Sequence, residues 1–283
     1  MSTVFYSSTR QRQIWRVIPD LIRARELLRD LVWKDLRARY RYAMMGFLWA
    51  VIEPLMFMAL LAFVFSFMLA DRASLTQSTQ PFPVLLLCGL IFWQYFSTAL
   101  NSAAHSVVDH KNLVKKVYFP REVIPLAVCC VPLVNLAIGF ILLLLLHLIL
   151  GGAVSVVTLC IPLLFILQFV LTLGLALIFA CGHALFRDVG NLISVGMMFG
   201  FYASPVIYPV DLIAHSSKIP HGLYLAYMAN PMAGLITAYR QILFEVRIPD
   251  WNLLIWPAVC AVGCFTIGLV LFRRTAPTMA DYL

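Results

Sequence analysis

Residues 112–150 read NLVKKVYFPREVIPLAVCCVPLVNLAIGFILLLLLHLIL. Between Glu122 and Leu150 there is no Asp, Glu, Lys or Arg, and Asn135 and His147 are the main polar interruptions. The run exceeds the roughly 18 apolar residues that mark a spanning helix. Immediately before it stand Lys115, Lys116 and Arg121, with Pro120 among them. A basic, helix-breaking patch thus abuts a segment that belongs in lipid.

The rest of the chain repeats this contrast. It has 283 residues, of which 62% are hydrophobic and 12% charged. A soluble domain carries about 25% charged residues. Apolar runs near 47–70, 82–107, 122–150, 153–184, 190–208 and 251–272 predict an all-α integral membrane protein with six spans. All Lys and Arg except Arg72, Lys218, Arg240 and Arg247 fall in segments 1–46, 108–121, 185–189 and 273–283. The positive-inside bias therefore predicts both termini in the cytoplasm. The organisation that follows is an N-terminal segment 1–46, a spanning domain 47–272 and a tail 273–283, with an inner loop 108–121 and an outer segment 209–250. Segment 1–46 lacks the apolar core of a signal peptide, so the first span is expected to act as the anchor. The net charge of +8 reads as topology and attraction to anionic lipid, not as a nucleic-acid footprint. The seven cysteines lie in apolar runs, with no metal-ligand spacing.

Residues 20–39, DLIRARELLRDLVWKDLRAR, place Leu21, Ala24, Leu27, Leu28, Leu31 and Val32 on one helical face. Arg23, Glu26, Asp30, Lys34 and Arg37 take the other. That pattern predicts an interfacial amphipathic helix, either a passive anchor or a collar beside a partner. In the basic loop, Tyr118 and Phe119 beside lysines suit a docking knob better than a loop that merely sets topology. Arg187 and Asp188 in the short loop FRDVGN either pair with each other or offer a second contact. Glu53 lies several residues into a span, where a carboxylate needs a partner or water. It either pairs with a nearby arginine or borders an aqueous path.

On the outer side, Asn230 with Pro231 is a helix start. Met232, Leu235, Ile236, Tyr239, Ile242 and Leu243 then predict a short amphipathic helix on or dipping into the outer leaflet. Gly196 and Gly200 form a small-xxx-small pair compatible with dimerisation. Trp49, Trp93, Tyr95, Phe199 and Tyr202 are candidates for a sugar path, because sugar C–H faces stack on aromatic planes; belt or lipid contact is the plainer reading. No GxSxG, HExxH or Walker motif occurs.

Taken in order, RYRYAMMGFLWAVIEPL, NLVKKVYFPREVIPLA, FRDVGNLI, SPVIYP and NPMAGLITAYRQILF resemble the membrane subunit of bacterial ATP-binding-cassette polysaccharide exporters. The resemblance covers about residues 20–272. It implies a homodimer joined to two copies of a separate ATPase subunit, which would hold ATP and Mg, with no cofactor on this chain. It implies that the loop with Asn112, Leu113, Lys115, Lys116, Tyr118, Phe119, Pro120 and Arg121 contains a coupling helix, with Arg187 and Asp188 near the same contact. It also implies a channel between the copies, chiefly from the first and fifth spans. A lipid-linked glycan would follow a path for which Trp49, Glu53, Trp93, Tyr95, Phe199 and Tyr202 are the candidates. The segment 209–247 would correspond to the outer gate helices, and the outer gate would involve Tyr208, Asn230, Pro231, Tyr239 and Arg240. The expected function is export of an O-antigen-like polysaccharide across the bacterial inner membrane. The alternatives are teichoic acid, capsule or a small lipid or drug as cargo, a membrane-embedded transferase, and a passive channel.

Overall fold

The computed structural model describes residues 17–40, 48–68, 81–116, 119–208, 210 and 220–282. The described residues are helices and their connections. In chain order these are α1 (Val17–Arg23), α2 (Arg25–Tyr40), α3 (Trp49–Met68), α4 (Phe82–Asp109), α5 (Lys111–Lys116), α6 (Val123–Ile149), α7 (Ile161–Leu185), α8 (Val189–Tyr202), α9 (His221–Met228), α10 (Pro231–Phe244) and α11 (Trp251–Tyr282). A 3₁₀ turn, Val156–Cys160, leads into α7.

Four segments are long and apolar enough to cross a bilayer: α4, α6, the 3₁₀ turn with α7, and α11 as far as Met279. The expected first and fifth spans are shorter. Helix α8 has 14 residues, which reach roughly 21 Å at 1.5 Å each. The chain then continues through non-helical Ser204–Ile207, buried at 0–6% exposure among helices. Irregular backbone is tolerated at membrane depth only where protein covers it.

Helix α4 is the axis of the bundle. Of its apolar window 78% is buried, against 22% for α11. Helices α3, α6, α7, α8 and α10 all pack on it, so its side chains meet protein on nearly every side. Close helix crossings occur where side chains are smallest. A Cβ on Gly174 of α7 would lie 2.4 Å from the Phe265 nitrogen of α11, and one on Gly268 would lie 2.4 Å from the Gly174 carbonyl. This small-residue contact lies within the chain. Gly200 is likewise occupied: a Cβ there would meet the Trp93 ring at 2.7 Å. Gly196 faces open space, so the Gly196–Gly200 pair is not one free dimerisation face.

At the α5 end a second core forms from distant segments. Leu31, Val114, Phe119, Val123, Leu177, Ala184, Phe272 and Met279 share it. The residues 273–282 beyond the expected last span continue α11, and Met279 is fully buried.

Candidate functional site

Two ends of the bundle hold the residues singled out above, and their chemistry differs. At the α5 end, α2 lies against α6. Its expected apolar face is the one that packs: Leu31 is buried, and Leu21, Ala24, Leu27, Leu28 and Val32 pack around it. Arg23, Glu26, Asp30, Lys34 and Arg37 are exposed. The helix is broken by a turn at Ala24.

Helix α5 is a single short turn-and-a-half whose Val114 is buried while Lys111, Asn112, Lys115 and Lys116 are exposed. Leu113 and Pro120 are half-buried. Phe119 corrects the docking-knob reading. It is only 9% exposed and shares the chain's own core with Val114 and Val123. Tyr118 lies outside the described residues. Arg187 and Asp188 are exposed on the α7–α8 turn, and no ion pair joins them. Beside them Phe186 is 70% exposed. Phe186, which the sequence pattern did not single out, is thus an exposed aromatic at this end, as is Trp33 of α2.

Glu122, just after the basic patch, accepts a hydrogen bond from Arg273 Nε at 2.8 Å, with both side chains under 10% exposed. This buried ion pair ties the start of α6 to the end of α11. Breaking such a pair leaves a buried charge uncompensated.

The opposite end is built around α10. Asn230 caps it as expected, its Oδ1 accepting from the Met232 N–H at 3.0 Å. Its Nδ2 donates to Ser204 Oγ at 2.7 Å. The amphipathic expectation fails, however. The apolar stripe from Met232 to Leu243 is buried, but so are Ala233, Gly234, Ala238, Arg240 and Gln241 on the other face. The helix is embedded among α4, α7 and α11, not spread on a surface. Arg240 explains how a cation is accommodated there. It donates from Nη1 to the Tyr208 carbonyl (3.0 Å) and from Nη2 to the carbonyls of Leu85 (3.1 Å) and Val206 (2.9 Å). One guanidinium fork thus joins two non-helical carbonyls, of Tyr208 and Val206, to a carbonyl of α4.

Tyr239 is fully buried, stacked on Phe92 at 3.6 Å. Its hydroxyl donates to Gln168 Oε1 (3.0 Å), while Gln168 Nε2 donates to the Phe92 carbonyl (2.9 Å). Pro231 is half-buried at the first helical position. Tyr208 donates its hydroxyl proton to the Tyr202 carbonyl at 2.7 Å. Burial raises the Tyr227 phenol above the ordinary tyrosine value, so it remains protonated near neutrality.

The path candidates separate by exposure. Trp93 and Tyr95 are 5% and 3% exposed and face the interior of this chain, because α4 is wrapped by its neighbours. They do not line an open surface in this conformation. Trp49 of α3 and Phe199 and Tyr202 of α8 are 48%, 73% and 61% exposed. Helices α3 and α8 meet through Phe57 and Phe201, whose ring centroids are 6.1 Å apart. Glu53 is exposed on α3, with no ion-pair partner among the described residues; residues 41–47, with Arg41, lie outside them. Sequence reading missed Gln94, Asn135 and Gln168, although lone amides in apolar runs were the signal that could have found them.

These features define a polytopic α-helical membrane protein with an exposed basic turn at one end and an embedded, arginine-pinned helix at the other. Residues 26–244 match the ABC-2 type transporter family, and the chain belongs to it. It is 32% identical over 266 residues to the O-antigen export system permease protein RfbA of Myxococcus xanthus, covering 94% of this chain and 98% of that protein. It is 28% identical over 268 residues to RfbA of Klebsiella pneumoniae, covering 91% and 95%. It is 24% identical over 258 residues to the polysialic acid transport protein KpsM of Escherichia coli, covering 88% and 93%.

Proposed function

We propose that this chain is the membrane subunit of an ATP-driven exporter that carries a lipid-linked, O-antigen-like polysaccharide across the bacterial inner membrane. The observation that carries this reading is the near full-length relation to an O-antigen export permease. The more distant relation to a polysialic acid transport protein keeps capsule as the second cargo class. ATP and Mg would bind a separate ATPase subunit, and this chain moves rather than transforms its cargo.

The end with α5 is then cytoplasmic. Exposed Lys111, Asn112, Lys115 and Lys116 form the face offered to the ATPase, with Phe186, Arg187 and Asp188 as a second contact. Motion received there passes into the bundle through Val114, Phe119 and the Glu122–Arg273 pair, because these are the groups packed directly behind the exposed face. Two copies would pair across the exposed sides of α3 and α8, where Trp49, Phe199 and Tyr202 border the path. The embedded α10, pinned by Arg240 and Tyr239, closes the outer end.

Affinity purification of the chain from its native membrane, followed by mass spectrometry, tests this. A separate ATPase in equal amount is expected. Recovery of the chain without an ATPase, with residues 108–121 left free of any tag, would overturn it. Deleting the chain should also remove the polysaccharide from the cell surface.

A further inference from the structure

One flank of α2 borders an open groove of about 500 Å³, lined by Arg25, Leu28, Arg29, Val32 and Trp33 and, from α6, Cys130. Its two parts differ in chemistry. Leu28, Val32 and Cys130 are half-buried and make an apolar floor. Arg25, Arg29 and Trp33 are exposed and stand at four-residue steps, so they form one stripe along the rim. Cys130 lies seven residues beyond Val123, the first residue of α6, or about 10 Å at 1.5 Å per residue. The groove therefore runs from the α5 end of the bundle into its apolar wall. Arg25 has no ion-pair partner among the described residues. Arg29 meets Asp30 at 3.8 Å, between two exposed side chains, a pair that contributes little in water. The Arg37 guanidinium lies over the Trp33 ring, 5.4 Å from its centroid. Packing on α6 accounts for Leu31 and its apolar neighbours. It accounts neither for the exposed indole nor for two uncommitted cations above an apolar floor.

We propose that this groove binds an anionic phospholipid of the surrounding membrane, its phosphate on Arg25 and Arg29 and the start of an acyl chain on Leu28, Val32 and Cys130. The chemistry selects that occupant. Guanidinium forks one helical turn apart can both bond the oxygens of one phosphate. An indole sits well at the headgroup level, where its ring is covered and its N–H is wet. The floor has no polar side chain beyond the weakly bonding Cys130 thiol, so it suits hydrocarbon and not a peptide or a sugar. A groove of this size lies within the range of small-ligand sites, roughly 300–1,000 Å³. The carboxylates Glu26 and Asp30 stand one position on from the two arginines, outside the lining. Every lining residue comes from α2 or α6, whereas the proposed path borders α3 and α8. The groove is thus placed for a lipid resident on the wall of the bundle. Such a lipid bridges α2 to α6, so the seating of α2 depends on the anionic content of the leaflet.

The test uses the full chain in phosphatidylcholine vesicles carrying increasing amounts of brominated phosphatidylglycerol, whose bromines quench tryptophan at short range. The signal of Trp33 is the difference between the chain and Trp33→Phe. Half-maximal quenching of that signal is expected at a mole fraction about tenfold lower than with brominated phosphatidylcholine. Arg25→Gln with Arg29→Gln should bring the two lipids within about twofold of each other. Arg23→Gln with Lys34→Gln removes the same charge from exposed positions outside the groove. It should leave the preference within about twofold of the unsubstituted chain. All four side chains are exposed, and the melting temperature of each variant controls for folding. Equal quenching by the two lipids overturns the site. So does an equal loss in both double variants, which would report a diffuse attraction between a basic surface and an anionic membrane. A polyprenyl phosphate that displaces brominated phosphatidylglycerol from Trp33 at equal or lower mole fraction also overturns it, in favour of a cargo lipid. Because the readout is lipid binding, it stands apart from whether the cargo is a polysaccharide.

Discussion

Arg240 is costly to place and correspondingly informative. It lies 6% exposed in a helix surrounded by apolar side chains, and its three bonds all go to backbone carbonyls of other segments. Hydrogen bonds from a charged donor contribute about 1.5–3 kcal/mol each. Arg240→Leu is therefore expected to lower stability by at least about 3 kcal/mol, read as a fall in melting temperature in detergent. Arg240→Lys should rescue little, because one ammonium does not span three carbonyls as the planar fork does. At the other end the same logic separates two neighbours. Phe119→Ala removes a buried ring and should cost about 3–5 kcal/mol, seen as loss of folded chain. Lys115→Glu with Lys116→Glu alters only exposed charge. It should leave the fold intact and weaken capture of the ATPase about tenfold at low salt. If the lysine pair destabilises the chain and Phe119→Ala does not, the assignment of inside and outside on this turn is wrong.

Among the elements, helix faces were legible where one side meets protein and the other meets water. The stripe on α2 is the example: its apolar and charged residues alternate at helical spacing, so burial follows directly from the pattern. Helix α10 shows the opposite case. Its stripe is real, yet the polar remainder is buried too, since Arg240 and Gln241 find partners on other segments. Periodicity cannot reveal a partner that is distant in sequence. Glycine spacing failed for a related reason. Gly196 and Gly200 are one turn apart, but only Gly200 meets a neighbour. Gly200→Ala should destabilise the chain by about 1–3 kcal/mol through Trp93. Gly196→Ala should stay within about 0.5 kcal/mol in the single chain, so a larger change, or loss of crosslinked dimer, would report a second copy seated there.

For the molecule as a whole, orientation is the first thing to check. In a background with the native cysteines replaced, exposed Cys160 among them, Ser78→Cys is expected to react with an impermeant thiol reagent from outside. Asn112→Cys is expected to react only after the membrane is opened. The reverse pattern would invert the topology and, with it, the placement of the ATPase face. Ser78 lies outside the described residues, so this measurement rests on charge bias alone. The membrane class, the basic turn and the cap at Asn230 were already written in the chain, because hydropathy, charge asymmetry and capping chemistry are local properties of consecutive residues. Packing alone decided that Phe119 turns inward, that Trp93 and Tyr95 are enclosed, that α10 is embedded, and that Arg25 and Arg29 share a groove with Cys130. Each of these depends on which helices lie side by side in three dimensions, and inside an apolar bundle many arrangements satisfy the same hydropathy.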